Sequence, residues 1–274
     1  MIALSCTVRG CESPLARGER AFACARGHSF DVAKSGYVNL LQPQDRRSKS
    51  PGDSKDVVAA RRRFLDAGHG AFLLDALAEE LAARGVSGGA RIVDLGCGEG
   101  FFLGGLRARV DLDALGIDIS TPAIDAAARR HRDVTWIVAN ADRRLPLADA
   151  SIDVVLSVNG RRNAGEVARV LAPNGVALFA IPAVDDQAEL RERVLGRADT
   201  IERVAPLTAE MEPHFDVVHT RTVRAKVALE RAALDDLLAT TYRGARHKER
   251  GRMGELGALD VTWSADLVRF RRRG

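Results

Sequence analysis

The chain has 274 residues, of which 46% are hydrophobic and 28% are charged, and its formal net charge is +4. These values predict a globular protein with either one large domain and a small one or two modest domains. Its apolar runs fall short of the roughly 18 residues that a membrane span needs, and its first residues lack the apolar core of a signal peptide. We therefore expect a cytoplasmic protein without membrane contact.

The charge is distributed unevenly along the chain. Residues 1–63 hold 12 Lys and Arg against 6 Asp and Glu, residues 241–274 hold 9 against 4, and the central part is acidic. Basic flanks on an acidic centre indicate contact with a polyanion. Two solvated charged surfaces explain the same pattern, so charge alone leaves both interpretations open.

Three of the four cysteines lie near the N-terminus, in a pattern that suits a metal. Cys6, Cys11, Cys24 and His28 form a Cys-x4-Cys pair and a Cys-x3-His pair. Zinc prefers tetrahedral thiolate and imidazole ligands, and a segment this short buries too little apolar surface to fold alone. We predict a closed, structural zinc site in a module of residues 1–40. The alternative is a set of buried cysteines beside a surface histidine.

Residues 41–85 are predicted to connect this module to the main domain. Residues 42–55 are polar and contain Pro and Gly, which indicates an exposed linker or binding loop. From about residue 55 to residue 81, apolar residues recur at three- and four-residue spacing, which predicts helix. The glycines of residues 68–70 are expected to divide this helix in two.

From residue 91 onward the pattern alternates between strands and helices. Apolar strands are predicted at 91–95, 114–118, 134–138, 152–156 and 176–181, with helices near 101–109, 121–131 and 163–172. Such repetition is typical of a doubly wound parallel α/β sheet. Two further strands, at 215–226 and 260–271, surround a helix at 229–240 and complete a predicted α/β domain over residues 86–274.

A glycine-rich segment follows the first of these strands. Asp94, Gly96, Gly98 and Gly100 give the pattern Asp-x-Gly-x-Gly-x-Gly, which lets the backbone turn sharply and approach a ligand. The dinucleotide fingerprint spaces its glycines as Gly-x-Gly-x-x-Gly, so the spacing speaks against a nicotinamide dehydrogenase. Taken alone, the glycines also fit a tight structural turn. Asp118 ends the next strand, where a carboxylate can hold a ribose.

These features, followed by Asn140, Ala141 and Asp142 after the third strand, resemble the motifs of class I S-adenosylmethionine-dependent methyltransferases. The resemblance implies a Rossmann-like doubly wound sheet that binds S-adenosylmethionine at its topological switch point. It implies the following donor-binding residues: His69, Asp94, Gly96, Cys97, Gly98, Glu99, Gly100, Asp118, Ile119, Asn140, Ala141, Asp142 and Ser157.

More specific segments occur at residues 29–41 (SFDVAKSGYVNLL), 50–54 (SPGDS) and 60–69 (ARRRFLDAGH). Together with the zinc pattern, they resemble the RlmA-type 23S rRNA guanine-N1 methyltransferases over roughly residues 4–182. The resemblance implies methyl transfer to N1 of a guanine in a hairpin of 23S rRNA and a zinc module that helps to grip RNA. It also suggests a homodimer, and some relatives confer resistance to macrolide antibiotics.

The basic residues near the N-terminus are candidates for RNA contacts. The candidates for phosphate contacts are Arg46, Arg47, Lys49, Arg61, Arg62 and Arg63. Tyr37 either stacks on an unpaired base or is a buried ring that ties the module to the main domain.

Two loops depart from the family's pattern. Residues 157–163 read SVNGRRN where the family usually carries an aromatic-Ala-Pro stretch, and residues 182–186 read PAVDD where it often places a histidine. Guanine N1 carries a proton near neutral pH, so a general base would help its methylation. Asp185 and Asp186 are candidates for this base, and Arg161 or Arg162 for stabilising charge at O6 or binding phosphate. Each of them also fits an ordinary surface residue.

The altered loops keep two alternatives open. One is a methyltransferase of the same fold that acts on another RNA or on a small molecule. The other is a non-catalytic protein that binds RNA or the ribosome and has a vestigial donor site, and the intact Asp94, Gly96, Gly98, Gly100 and Asp118 argue against it.

Overall fold

The structure, a computed structural model, describes residues 2–46, 48–86, 88–197, 200–241 and 247–273. It contains a small antiparallel sheet at the N-terminus and a large mixed sheet that carries the rest of the fold. Among the described residues, no helix combines the length and the apolar character that crossing a bilayer requires.

The small sheet has four strands in the order β1-β2-β3-β4. Their bounds are Leu4–Ser5 for β1, Pro14–Arg17 for β2, Ala21–Cys24 for β3 and Ser29–Asp31 for β4. The sheet packs on the large domain, because Leu4 forms a bridge with Leu147 and the Ser5 amide donates to the Pro146 carbonyl. One hydrophobic cluster contains side chains of both parts.

The large sheet has eight strands in the order β11-β12-β10-β9-β6-β7-β8-β5. Their bounds are Val38–Asn39 for β5, Ala90–Leu95 for β6, Leu112–Asp118 for β7, Thr135–Val138 for β8, Ile152–Val158 for β9, Leu171–Pro182 for β10, Phe215–Leu229 for β11 and Leu259–Arg272 for β12. Strands β5 to β10 are parallel, whereas β12 is antiparallel to β10 and β11. The order reverses at β6, and in such sheets ligands bind outside the carboxyl ends of the strands at this point.

Nine helices are described around this sheet. Their bounds are Lys55–Phe64 for α1, Ala71–Ala83 for α2, Phe101–Arg107 for α3, Thr121–Arg130 for α4, Ala164–Val170 for α5, Ala188–Leu195 for α6, Val204–Met211 for α7, Arg231–Thr241 for α8 and His247–Glu255 for α9. Between α1 and α2, a wide helical turn at Leu65–His69 contains Gly68 with φ of +91°. The predicted break between the two helices therefore lies where the glycines indicated.

A cap of helices covers one end of the sheet. Apolar side chains of α1, α6 and α8 pack together there with the start of β12, and this third cluster includes Phe64, Leu190, Val194, Leu237 and Val261. An ion pair between Arg63 on α1 and Asp236 on α8 joins two of these helices. Elements far apart in the sequence thus form one wall beside the carboxyl ends of the strands.

The α/β alternation and the two further C-terminal strands are confirmed, but several elements differ from the sequence prediction. The helix expected at 163–172 ends at Val170, because Leu171 already pairs with Ile152 as the start of β10. The sequence reading also missed α6, α7, α9 and the two-residue strand β5. Residues 38–39, assigned to the N-terminal module, lie in the large sheet beside β8.

Candidate active site and metal centre

The four predicted metal ligands lie together in the small sheet. The ligand atoms of Cys6, Cys11, Cys24 and His28 are all within 4.8 Å of one another. The Sγ atoms of Cys11 and Cys24 are 3.7 Å apart, and His28 Nδ1 lies 3.4 Å from Cys6 Sγ and 3.5 Å from Cys24 Sγ. Tetrahedral zinc with bonds of about 2.3 Å to sulfur and about 2.0 Å to nitrogen separates its ligands by about 3.6–3.8 Å. The arrangement therefore fits zinc.

Two tight turns bring these ligands together. Gly10 and Gly27 have φ of +72° and +85°, and each lies within the short segment between one pair of ligands. The Gly27 amide donates to the Cys24 carbonyl, which closes the second turn. Because Cys6 and Cys24 are buried in the cluster shared with the large domain, metal binding is linked to the packing of the module on that domain.

The glycine segment forms a turn between β6 and α3 that excludes side chains. Gly96 has φ of +77°, and a Cβ atom there would lie 2.8 Å from the Cα of Gly160. Gly100 has φ of +81°, and its Cβ atom would lie 2.6 Å from the ring of the buried Trp136. The predicted need for glycine is thus explained by backbone conformation and by close neighbours.

A cleft of about 860 Å³ opens beside this turn, at the switch point of the sheet. Of the residues expected to bind the donor, it is lined by Asp94, Gly96, Cys97, Gly98, Glu99, Asp118, Ile119, Asn140, Ala141 and Asp142. Its volume lies within the usual range for small-molecule sites.

Three carboxyl groups line the cleft: Asp94 and Glu99 are buried, and Asp118 is half-buried. Asp118 accepts hydrogen bonds from the amides of Gly98 (2.9 Å) and Ser120 (2.7 Å) and so ties the glycine turn to the end of β7. Burial raises the pKa of Asp118 and of Glu99, and burial together with these two neighbours raises the pKa of Asp94 to about 8. The cleft therefore favours a cationic ligand.

Arg61 neutralises part of this negative charge. It pairs with Asp53, and its guanidinium lies 3.6 Å from Glu99. Both Arg61 and Asp53 line the cleft. Arg61 was a candidate for a phosphate contact, and in the structure its side chain pairs with Asp53 and lies in the cleft.

The loop after β8 forms another part of the lining. Asn140 accepts the amide of Asp142 and donates to the Asp45 carbonyl. Asp142 forms a two-pronged ion pair with Arg161, with distances of 2.9 and 3.2 Å. Arg161 thus reaches from the loop after β9 across to the loop after β8.

Some expected residues lie outside the cleft. Among the described residues that line it, His69, Gly100 and Ser157 are not found. The ring of His69 packs 4.6 Å from that of Phe64. The Ser157 hydroxyl donates to the Leu95 carbonyl and supports the end of β6.

The two candidate bases differ sharply. Asp185 is partly exposed, pairs with Arg224 at 2.7 Å and is absent from the lining of the cleft. Asp186 is only 7% exposed and lines the cleft.

The sequence did not predict several other residues that line the same cleft as Asp186. These include Phe64, Gln187, Arg191, Leu237, Trp263 and Ser264. They come from α1, the turn before α6, α6, α8 and β12 and follow no local motif, so only the tertiary structure brings them together.

Two family models match the chain. Residues 5–49 match the N-terminal zinc ribbon of RlmA, and residues 92–175 match a methyltransferase domain. The first match contains all four metal ligands, and the second runs from β6 to the middle of β10.

Curated relatives extend the comparison to most of the chain. A Streptomyces fradiae protein named 23S rRNA (guanine(748)-N(1))-methyltransferase is 37% identical over 84% of this chain and 81% of its own length. A Micromonospora griseorubida protein, provisionally named 23S rRNA (guanine-N(1)-)-methyltransferase, is 34% identical over 98% of this chain and 97% of its own.

Solved structures support the fold alone. A chain of the Haloferax volcanii complex between the Trm112 methyltransferase activator and a methyltransferase is superposed with a TM-score of 0.54 and 19% identity, covering 82% of this chain and all of that one. The [4+2]-cyclase SpnF has a TM-score of 0.51 and 18% identity, with 72% and 80% covered. Since a cyclase shares the fold, the fold does not determine the reaction.

The family models and the Cys3His cluster together establish S-adenosylmethionine as the cofactor and zinc as a structural metal. The identity with the curated relatives covers both the zinc ribbon and the methyltransferase domain. The chain belongs to the RlmA-type 23S rRNA (guanine-N1)-methyltransferase family.

Proposed function

We propose that this protein transfers a methyl group from S-adenosylmethionine to N1 of a guanine in 23S rRNA. The observation that carries the proposal is that this chain joins a Cys3His module to a donor-type cleft. It is supported by the 37% identity with the Streptomyces fradiae protein named for this activity. The proposal concerns the target atom and the RNA, since methyl transfer itself follows from the family.

The acidic side of the cleft is suited to the donor. S-adenosylmethionine carries positive charge on its sulfonium and amino groups, and Asp94 Oδ1 and Glu99 Oε2 are buried oxygens without hydrogen-bond partners among the described residues. We assign the methionine end to Asp94 and Glu99, the ribose to Asp118, and the adenine to Asn140 and Asp142. The remaining lone pairs of Asp118 are free to accept ribose hydroxyls, because each of its oxygens accepts a single backbone amide.

Methyl transfer is an in-line displacement in which the donor supplies an electrophilic methyl group. The protein's part is to hold the attacking nitrogen close to that group and aligned with it. The loop after β9 is fixed for this role: the Asn159 amide donates to the Ala180 carbonyl, Asn159 has φ of +54°, and Gly160 packs on the Leu95 carbonyl. These two contacts hold the loop in place, so it offers the acceptor a defined wall.

The RNA is expected to approach over the loop at residues 48–53, of which Ser48, Pro51, Gly52 and Asp53 line the cleft. Arg46 and Lys49 are exposed at this loop, which suits contacts with phosphates. Arg47 lies outside the described residues. Tyr37 is partly buried against the core of the large domain, which favours a tying role over base stacking.

Reverse transcription tests the target atom directly. A methyl group on N1 blocks the Watson–Crick edge of guanine, so we expect a donor-dependent stop at one guanine when treated 23S rRNA is copied. Full-length copies from RNA that has nevertheless received label would contradict N1 of guanine as the target. An absence of label in RNA would shift the acceptor to a small molecule.

A further inference from the structure

We propose that the capped end of the cleft is a pocket for the target base, which enters it as an extruded guanine. In this pocket Asp186 accepts the N1 hydrogen and Trp263 stacks on the ring. The inference rests on the proposed function, and it names the groups that recognise the acceptor. We call this region the base pocket; its residues are Phe64, Pro182, Asp186, Gln187, Leu237, Trp263 and Ser264, all of which line the cleft.

The carboxyl group of Asp186 is held rigidly but keeps free lone pairs. Its Oδ1 accepts the Ser264 amide at 3.0 Å, and its Oδ2 accepts the Gln187 side-chain amide at 3.2 Å. A carboxylate offers about four acceptor positions, so two remain for a ligand. Both hydrogen bonds come from neutral groups. Among the described residues, no Lys or Arg side chain forms an ion pair with this carboxylate.

The two nearby arginines are directed to backbone carbonyls. Arg203 donates to the Ile201 carbonyl at 3.0 Å. Arg191 on α6 donates to the backbone carbonyls of Asp186 (2.6 Å) and Val184 (3.1 Å). It therefore fixes the turn that presents Asp186 and leaves the carboxylate unpaired. Asp185, by contrast, is bound by both Arg224 and the Ser264 hydroxyl, and its pKa is lowered.

The protonation of Asp186 suits proton transfer near neutral pH. Burial raises its pKa to about 6, while the Ser264 amide, Arg191, Arg203 and Gln187 act in the opposite direction. The other acidic group at this turn, Glu189 on α6, is directed to Thr262. A general base is most effective when its pKa lies near the working pH, so Asp186 meets this condition and Asp185 does not.

Aromatic and apolar side chains line the same cleft as this carboxylate. Trp263 immediately precedes Ser264 on β12, and its ring packs 5.2 Å from that of Phe64 and 5.5 Å from that of Phe72. Leu237 on α8 also lines the cleft. Enzymes that act on a base extrude it and stack it on aromatic or apolar side chains. An indole packed against two phenyl rings, in the cleft that Asp186 also lines, fits this use.

The hydrogen-bond pattern favours guanine over adenine. Guanine presents two neighbouring donors, N1–H and the N2 amino group, whereas N1 of adenine is an acceptor that a carboxylate would repel. Gln187 supplies a second acceptor, because its Oε1 is buried without a hydrogen-bond partner among the described residues. Two acceptors beside a stacking ring thus match the edge of guanine that is methylated.

The reaction balances with these groups. Asp186 accepts the N1 proton, the N1 electron pair forms a bond to the methyl carbon, and the bond from that carbon to sulfur breaks. Its electrons remain on sulfur, which becomes the neutral thioether of S-adenosylhomocysteine. The proton on Asp186 then passes to solvent.

The test compares Asp186→Asn with Asp185→Asn. The two residues are adjacent in the sequence, and each substitution replaces a carboxylate by an amide of the same shape. We expect Asp186→Asn to slow methylation of 23S rRNA on the order of 100-fold or more while it binds S-adenosylhomocysteine as the wild type does. With saturating S-adenosylmethionine, the wild-type rate should reach half its maximum near pH 6 and level off above it, since the carboxylate form predominates above this pKa. This inflection should be absent in Asp186→Asn. Asp185→Asn should retain the rate within a few-fold and also retain the inflection.

Tryptophan fluorescence gives a readout that is independent of turnover. The chain has two tryptophans, and Trp136 is fully buried, so quenching by a nucleotide reports on Trp263. With S-adenosylhomocysteine bound, GMP should quench more strongly than AMP, and this preference should be weaker in Asp186→Asn.

The outcomes separate the inference from the proposed function. Two results would overturn the base pocket but leave N1 of guanine as the target. One is methylation by Asp186→Asn at close to the wild-type rate. The other is equal quenching by GMP and AMP in both proteins. A wild-type protein that methylates no guanine in rRNA would overturn the proposed function and the pocket together.

Discussion

Replacement of Asp118 by Asn tests the assignment of the donor site. The carboxylate uses one lone pair of each oxygen for the Gly98 and Ser120 amides, which leaves two for the ribose hydroxyls. An Asn side chain has a single oxygen, so it must give up at least one ribose contact. A hydrogen bond to a charged group contributes about 1.5–3 kcal/mol. We therefore expect donor affinity to fall by roughly 10- to 150-fold.

Calorimetric titration with S-adenosylhomocysteine measures this loss. Asp111→Asn is the matched control, because Asp111 is an exposed carboxylate next to the start of the same strand. Asp118→Asn relieves repulsion with Asp94 and Glu99, but its NH2 group cannot accept one of the two backbone amides. Thermal unfolding of the variant is therefore measured alongside its donor affinity. An affinity within three-fold of the wild type, in a folded variant, would refute the ribose assignment.

Three further predictions follow from the same geometry. Gly96→Ala should lower the stability by about 1–2 kcal/mol, because left-handed backbone costs a residue with Cβ about this much. It should also weaken donor binding, because the new atom would lie 2.8 Å from Gly160 and displace the turn that lines the cleft. Gly257→Ala, in open space, is the control, and equal affinities would contradict the account. Cys24→Ser should lower the zinc content and the unfolding temperature because Cys24 is both a ligand and a core residue; full zinc content with unchanged stability would argue against the site. Affinity for S-adenosylmethionine should rise between pH 6 and pH 8. The pKa of Asp94 is raised to about 8, and the cationic donor binds more tightly to the carboxylate that forms as the pH rises. The same pH dependence in Asp94→Asn would exclude this cause.

The parts of the fold that depend on local pattern were predictable from the sequence. The strands of the parallel sheet have continuous apolar runs, and Gly96 and Gly100 mark a turn that only glycine fits. The metal ligands were also found, because their spacing reflects two short turns. In each case the physical requirement acts on residues close together in the chain.

The base pocket was not predictable in the same way. Asp186 and Ser264 are 78 positions apart and meet only because β10 and β12 are adjacent in the sheet. Arg61 carries a charge that suits RNA, yet its helix directs it toward Asp53 and Glu99. The strand β5 has two residues and exists because β8 offers a free edge. Tertiary contacts decide these features, and a single sequence does not reveal them.

The most direct test of the central claim is methyl transfer from labelled S-adenosylmethionine to unmodified 23S rRNA, followed by identification of the modified nucleoside by mass. The account predicts that the label appears as 1-methylguanosine at one site. Label in any other nucleoside, or no label in rRNA from a protein that binds the donor, would contradict it.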